Sequence, residues 1–101
     1  MIFPSSKTLP APTVLSRFEE PDPIGGYDEV QRLENGAVLY LLDGDFHRVD
    51  GPSFIGGDGT LTWHRNGAEH RTDGPAVEYP DGAAEYWVMG VRLSEELFKL
   101  I

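Results

Sequence analysis

The chain has no cysteine, so disulfides and thiolate metal sites are excluded, and packing and turn chemistry must hold the fold. Positive charge is scarce. Eight Lys and Arg stand against 17 Asp and Glu, a formal net charge of −9 that repels nucleic acid and anionic membranes. Long apolar runs are missing too: no window approaches a membrane span. The opening MIFPSSKTLPAPTVLSRF has prolines where a signal peptide needs an uninterrupted apolar stretch. These absences predict a soluble, cytoplasmic protein that binds neither nucleic acid nor membrane directly. A length of 101 residues fits one domain with a thin core and leaves no room for a second catalytic lobe.

Proline is concentrated at the start. Residues 1–26 hold Pro4, Pro10, Pro12, Pro21 and Pro23 and end in Gly25-Gly26, a composition that blocks helix and predicts an extended arm. Val14, Leu15 and Phe18 are its only apolar cluster and the expected docking residues if the arm lies on the rest of the domain.

From residue 33 onward the sequence matches itself at an offset of 23 residues, in two good copies and a truncated third. Asn35-Gly36, Asp58-Gly59 and Asp81-Gly82 fall in register, each the chemistry of a tight hairpin turn. Four residues after each Gly stands an aromatic, Tyr40, Trp63 or Tyr86, and four further on stands Gly44, Gly67 or Gly90. The first two copies continue as His47-Arg48-x-Asp50-Gly51-Pro52 and His70-Arg71-x-Asp73-Gly74-Pro75, whereas the third breaks off at Val91-Arg92-Leu93.

Turn signals this frequent leave room for strands of about four to six residues. The predicted fold is mainly β: an antiparallel β-meander of hairpin repeats over 27–93, with an extended N-terminal arm over 1–26 and a short C-terminal helix over 94–101. Period-two geometry places Val38, Tyr40 and Leu42, Leu61 and Trp63, and Ala84, Tyr86 and Val88 on one face, the expected core. Phe54, Val77 and Tyr79 extend that stripe from the return strands. Ser94 suits an N-cap before Glu95 and Glu96, and Leu97, Phe98, Leu100 and Ile101 are expected to cover the open end of the sheet.

The spacing aromatic-x-x-Asx-Gly-x-x-His over residues 34–93 resembles the MORN repeat, whose units are β-hairpins stacked into an extended sheet. The string from Trp63 to Ala76 is more closely similar to W-x-x-N-G-x-x-H-R-x-D-G-P-A repeats of uncharacterised phage and bacterial proteins. Arg48 and Arg71 stand where a second glycine usually follows the MORN histidine. The resemblance implies architecture and no activity.

His47, Arg48 and Asp50, with His70, Arg71 and Asp73, are the groups that could suggest acid–base chemistry or metal ligation. An element repeated at every structural period usually builds the period, so they are read as turn builders, like Tyr40, Trp63 and Tyr86 as the packing row. The two His-x-x-Asp pairs are expected on neighbouring hairpins roughly 10 Å apart, too far for one ion. His64, pointing opposite to Trp63, is expected to be solvated. Ser53 sits where the next copy has Ala76, and nothing marks it as a nucleophile. Gly56-Gly57-Asp58-Gly59 has neither the lysine nor the helix of a phosphate cradle. No catalytic residue, metal or cofactor is therefore expected.

The acidic surface remains. Asp43, Asp45, Asp58, Glu69, Glu78, Asp81 and Glu85 are the candidate partner-binding residues, on turns and solvent-facing strand positions. Rows on a sheet can space carboxylates at about 5–7 Å, comparable with successive phosphates of a nucleic-acid strand. By analogy with small acidic phage proteins that inhibit host defence, anti-CRISPR proteins among them, the expectation is a non-enzymatic module. It binds a protein partner, a host nucleic-acid-binding complex, through DNA mimicry or otherwise. The alternatives are a structural or self-assembling protein, such as a homodimer through a sheet edge, and a metal-dependent enzyme using the His-Arg-x-Asp units.

Overall fold

Two kinds of tight turn alternate along the sequence and set its architecture. The computed structural model describes residues 13–19 and 26–101. Asp43-Gly44, Asn66-Gly67 and Met89-Gly90 are two-residue turns with both residues at positive φ, 50° at the first and 81–88° at the glycine. This left-handed pair matches the twist of the flanking strands. At Asn35-Gly36, Asp58-Gly59 and Asp81-Gly82 only the glycine is left-handed. There the Asx carboxyl or amide oxygen accepts the backbone N–H two residues on, from Ala37, Thr60 and Ala83 at 2.9–3.0 Å.

Between the turns run β1 (Val14–Glu19), β2 (Glu29–Leu33), β3 (Val38–Leu42), β4 (Asp45–Phe46), β5 (Phe54–Ile55), β6 (Leu61–Thr62), β7 (His64–Arg65), β8 (Ala68–Glu69), β9 (Val77–Glu78), β10 (Ala84–Val88) and β11 (Val91–Leu93). A single-turn helix, α1 (Glu95–Phe98), follows. All ladders are antiparallel. The order is β1-β2-β3-β5-β6-β9-β10-β11, with β4 returning along β3 and β7–β8 forming its own hairpin. The fold is thus mainly β, as the turn spacing predicts. Strands β4 to β9 are only two residues long, shorter than expected, because the backbone bends at residues 49–51 and 72–74 and the ladder is interrupted at Trp63.

Within the segment read as an arm, Val14–Glu19 forms the edge strand, paired with β2 from Val14↔Leu33 to Glu19↔Glu29. Val14 and Leu15 stay exposed; the Phe18 side chain and residues 1–12 and 20–25 lie outside the described residues. At the other end Ser94 Oγ accepts the Leu97 N–H and only Phe98 packs, its ring 4.7 Å from Tyr86. Leu97, Leu100 and Ile101 are exposed, because one helical turn presents a single side chain inward.

Of the predicted stripe only Val77 is buried; the stripe's aromatics do not form the core. The buried apolar residues are Tyr27, Val30, Ala37, Leu41, Ala76 and Val77, joined by buried His47, Ser53 and His64. Tyr40, Trp63 and Tyr86 are half-buried, each covered by individual side chains: Tyr40 by Arg48 and Tyr27, Trp63 by Arg71 and Tyr86 by Phe98. Successive hairpins stack closely. A Cβ on Gly57 would collide with the Asn35 carbonyl, so the second turn accepts only glycine there.

Candidate functional site

The two His-Arg-x-Asp-Gly-Pro segments bend out of β4 and β8 and return into β5 and β9. In each, the arginine folds back over the aromatic of its own copy: the Arg48 guanidinium lies 4.0 Å from the Tyr40 ring centre, and Arg71 3.9 Å from that of Trp63. Both distances suit a cation–π contact. Arg48 Nε donates to Asp50 Oδ1 at 3.1 Å and its Nη1 to the Pro52 carbonyl at 3.2 Å. Arg71 repeats this with Asp73 at 2.8 Å and Pro75 at 3.1 Å, and adds Glu78 Oε2 at 3.1 Å. The Arg71 hydrogen bond and charge hold the Asp73 carboxyl below its ordinary value. A Cβ on Gly74 would come within 2.9 Å of the Arg71 guanidinium carbon, which explains the glycine between Asp and Pro. These aspartates build the turn by clamping an arginine.

The motif histidines join one hairpin to the next. Asn66 N–H donates to His47 Nδ1 and Met89 N–H to His70 Nδ1, both at 2.9 Å, so each imidazole terminates the two-residue turn of the following copy. An accepting Nδ1 is unprotonated. Burial, and then the nearby charge of Arg65, hold both histidines below the ordinary imidazole value.

His64 is not solvated. It is 8% exposed, stacked on Phe46 with ring centres 4.9 Å apart, and its Nδ1 lies 2.7 Å from Ser53 Oγ. Burial depresses its pKa against an opposing effect of Glu69, its cross-strand neighbour. A hydroxyl and an imidazole at this distance have the separation of a nucleophile and its base. Ser53, however, is fully buried, so no substrate atom reaches it, and its one hydroxyl proton goes to the Thr62 carbonyl at 3.2 Å, which leaves its Oγ an acceptor toward His64.

The structure brings the two motifs to one groove of about 530 Å³, lined by Arg48, Asp50, Trp63, Arg65, His70, Arg71 and Asp73 among others. A shallower depression of about 320 Å³ on the opposite face joins His64 with Phe46, Phe54, Tyr79, Glu69 and Glu85. Among the described residues no three His, Asp or Glu side chains form a cluster that could hold a metal ion. No helix there is long and apolar enough to cross a membrane.

The predicted acidic residues do not gather in one row. Asp58 and Asp81 stabilise their own turns along one edge, where the Thr60 backbone N–H lowers the Asp58 pKa. Asp43 and exposed Asp45 sit at the other edge, Asp45 beside Gly67 of the next hairpin. Glu78 joins the Arg71 clamp. Glu85 accepts from Trp87 Nε1 and Tyr79 Oη, both at 2.9 Å, and these bonds lower its own pKa and raise that of Tyr79. Among the features that sequence reasoning missed is Arg65, whose charge acts on both histidines. Compared with known proteins, the sequence and its fold match no protein-family model, no curated protein and no solved structure.

Proposed function

We propose that this protein is a non-enzymatic protein-interaction module built of MORN-like hairpins, an acidic inhibitor whose partner is a nucleic-acid-binding protein. One observation carries the reading. The His, Arg and Asp of both motifs are engaged in clamping aromatics and joining hairpins, which leaves carboxylates at the exposed turns as the chemistry on display. With a net charge of −9 these favour a basic surface. Equivalent turns lie one repeat, about 10 Å, apart at two strand spacings of ~4.8 Å, so the acids suit scattered Lys and Arg better than a close copy of a phosphate backbone.

The test is affinity purification against basic nucleic-acid-binding proteins, followed by titration with salt and duplex DNA. Binding that weakens steeply with salt and competes with DNA supports the inhibitor reading. Stoichiometric binding indifferent to both removes it and leaves a general interaction module. Replacing His47 or His70 by Ala is expected to lower the melting temperature without removing any turnover; a metal-dependent activity lost in these variants would overturn the non-enzymatic assignment.

A second reading, self-association, rests on the β11 end. There Met89, Val91, Leu97, Leu100 and Ile101 are each more than half exposed beside an edge strand. Light scattering decides it: a strict monomer at high concentration excludes a dimer through this edge.

A further inference from the structure

The groove between the motif loops differs in charge from the rest of this acidic protein. Arg48, Arg65 and Arg71 line it with Asp50 and Asp73; Asp50 pairs with Arg48, and Asp73 and Glu78 pair with Arg71, so Arg65 is the lining guanidinium without a carboxylate partner among the described residues. Glu78 reaches Arg71 but does not line the groove. Arg48 and Arg71 are committed through Nε and Nη1 to their clamps. Arg65 is not: its side chain makes no hydrogen bond or ion pair among the described residues. Beside it, His70 gives Nδ1 to the Met89 N–H and therefore carries its proton on Nε2, a donor of fixed tautomer. Trp63 supplies an apolar wall.

The geometry points to a binding site for a single peptide carboxylate in this groove, an Asp or Glu side chain or a free C-terminal carboxylate, held by Arg65 with His70 as second donor. The guanidinium fork matches a carboxylate in shape, and the single unpaired guanidinium of Arg65 matches one negative charge. A phosphate group carries about −1.5 to −2 near neutral pH and would face Asp50 and Asp73 across the groove. A polyanion would meet the acidic surface on every side. Screening over about 8 Å at physiological salt lets the groove act on a short ligand despite the overall charge. The site needs two consecutive motifs, so the protein builds it only once.

The experiment is an NMR titration at low salt, following the Trp63 indole, with an acetylated and amidated Glu-containing tripeptide, its Gln counterpart, inorganic phosphate and a duplex DNA as probes. The Glu peptide is expected to saturate with a Kd near ~1 mM, as befits one small charged contact; the Gln peptide and the DNA are expected to leave the indole unmoved. Arg65→Gln, which removes no internal bond, is expected to weaken the peptide at least about tenfold at unchanged melting temperature. Arg92→Gln, outside the groove, is expected to leave binding intact. The proposal is overturned by an indole that does not move with the Glu peptide, an equal response to the Gln peptide, tighter binding of phosphate, or an equal loss in Arg92→Gln. None of these outcomes bears on salt-sensitive capture of a basic partner, so the two proposals fail separately.

Discussion

The first two copies and the third use the same turns but close them differently. In the complete copies an arginine eight residues beyond the aromatic covers it, fixed by an aspartate and a proline carbonyl. In the third the ring of Tyr86 is covered by Phe98 from α1. At the position of His47 and His70 the third copy has Leu93, which offers no acceptor to a further turn. A charged cover with a histidine behind it leaves the stack able to continue, whereas an apolar cover without one ends it.

That contrast can be broken by mutation. Trp63→Ala removes the ring on which Arg71 rests and is expected to cost about 3 kcal/mol, at the low end for aromatic truncation because the ring is only half-buried. Tyr86→Ala should cost less; the urea midpoints of the two variants rank them. Arg71→Met keeps an aliphatic cover but loses the clamp, with an expected cost of about 1–2 kcal/mol. Phe98→Ala should cost about 1 kcal/mol and leave amide-exchange protection around Tyr40 unchanged, since only the third copy depends on α1.

Acid separates the copies in another way. All three histidines have folded-state values below the ordinary 6.5, with burial the main cause. As pH falls the unfolded state therefore takes up protons first. The stability these groups support is complete above about pH 6.5 and is lost progressively below it, until the folded histidines protonate as well. The amide-exchange protection factors of Asn66 and Met89 report it, and both should fall on acidification. The smallest expected effect is a gain. Met89 occupies the left-handed turn position that Asp43 and Asn66 fill in the other copies, so Met89→Asn should add about 0.5–1 kcal/mol, read as a raised Tm.

Much of this is legible as spacing. The Asx-Gly register announces the turns, and Ser94 with two glutamates announces the helix start. The Arg-over-aromatic contact is not, because residues eight apart meet only once a two-residue turn reverses the backbone. The His-to-turn bond spans 19 residues and needs neighbouring hairpins already stacked. Two burials escape a residue-by-residue reading although the offset carries their signal. His64 occupies the place of Leu41 and Trp87, a site otherwise apolar, and Ser53 that of Ala76, where both copies keep a small residue with no exposure. Treating each histidine as an isolated polar group, instead of by its place in the period, hides the first. The single acidic row is absent because the turns divide the exposed carboxylates between two edges.

The histidine bond also makes the 23-residue unit a transferable module. A segment copied from 47–69 and inserted after Glu69 would carry both ends of this bond, the histidine at its start and, 19 residues on, the Asn66-Gly67 turn that the histidine terminates. Lengthening is therefore an interior operation: units can be added between the first hairpin and the last, but a unit appended beyond Leu93 would find no acceptor waiting.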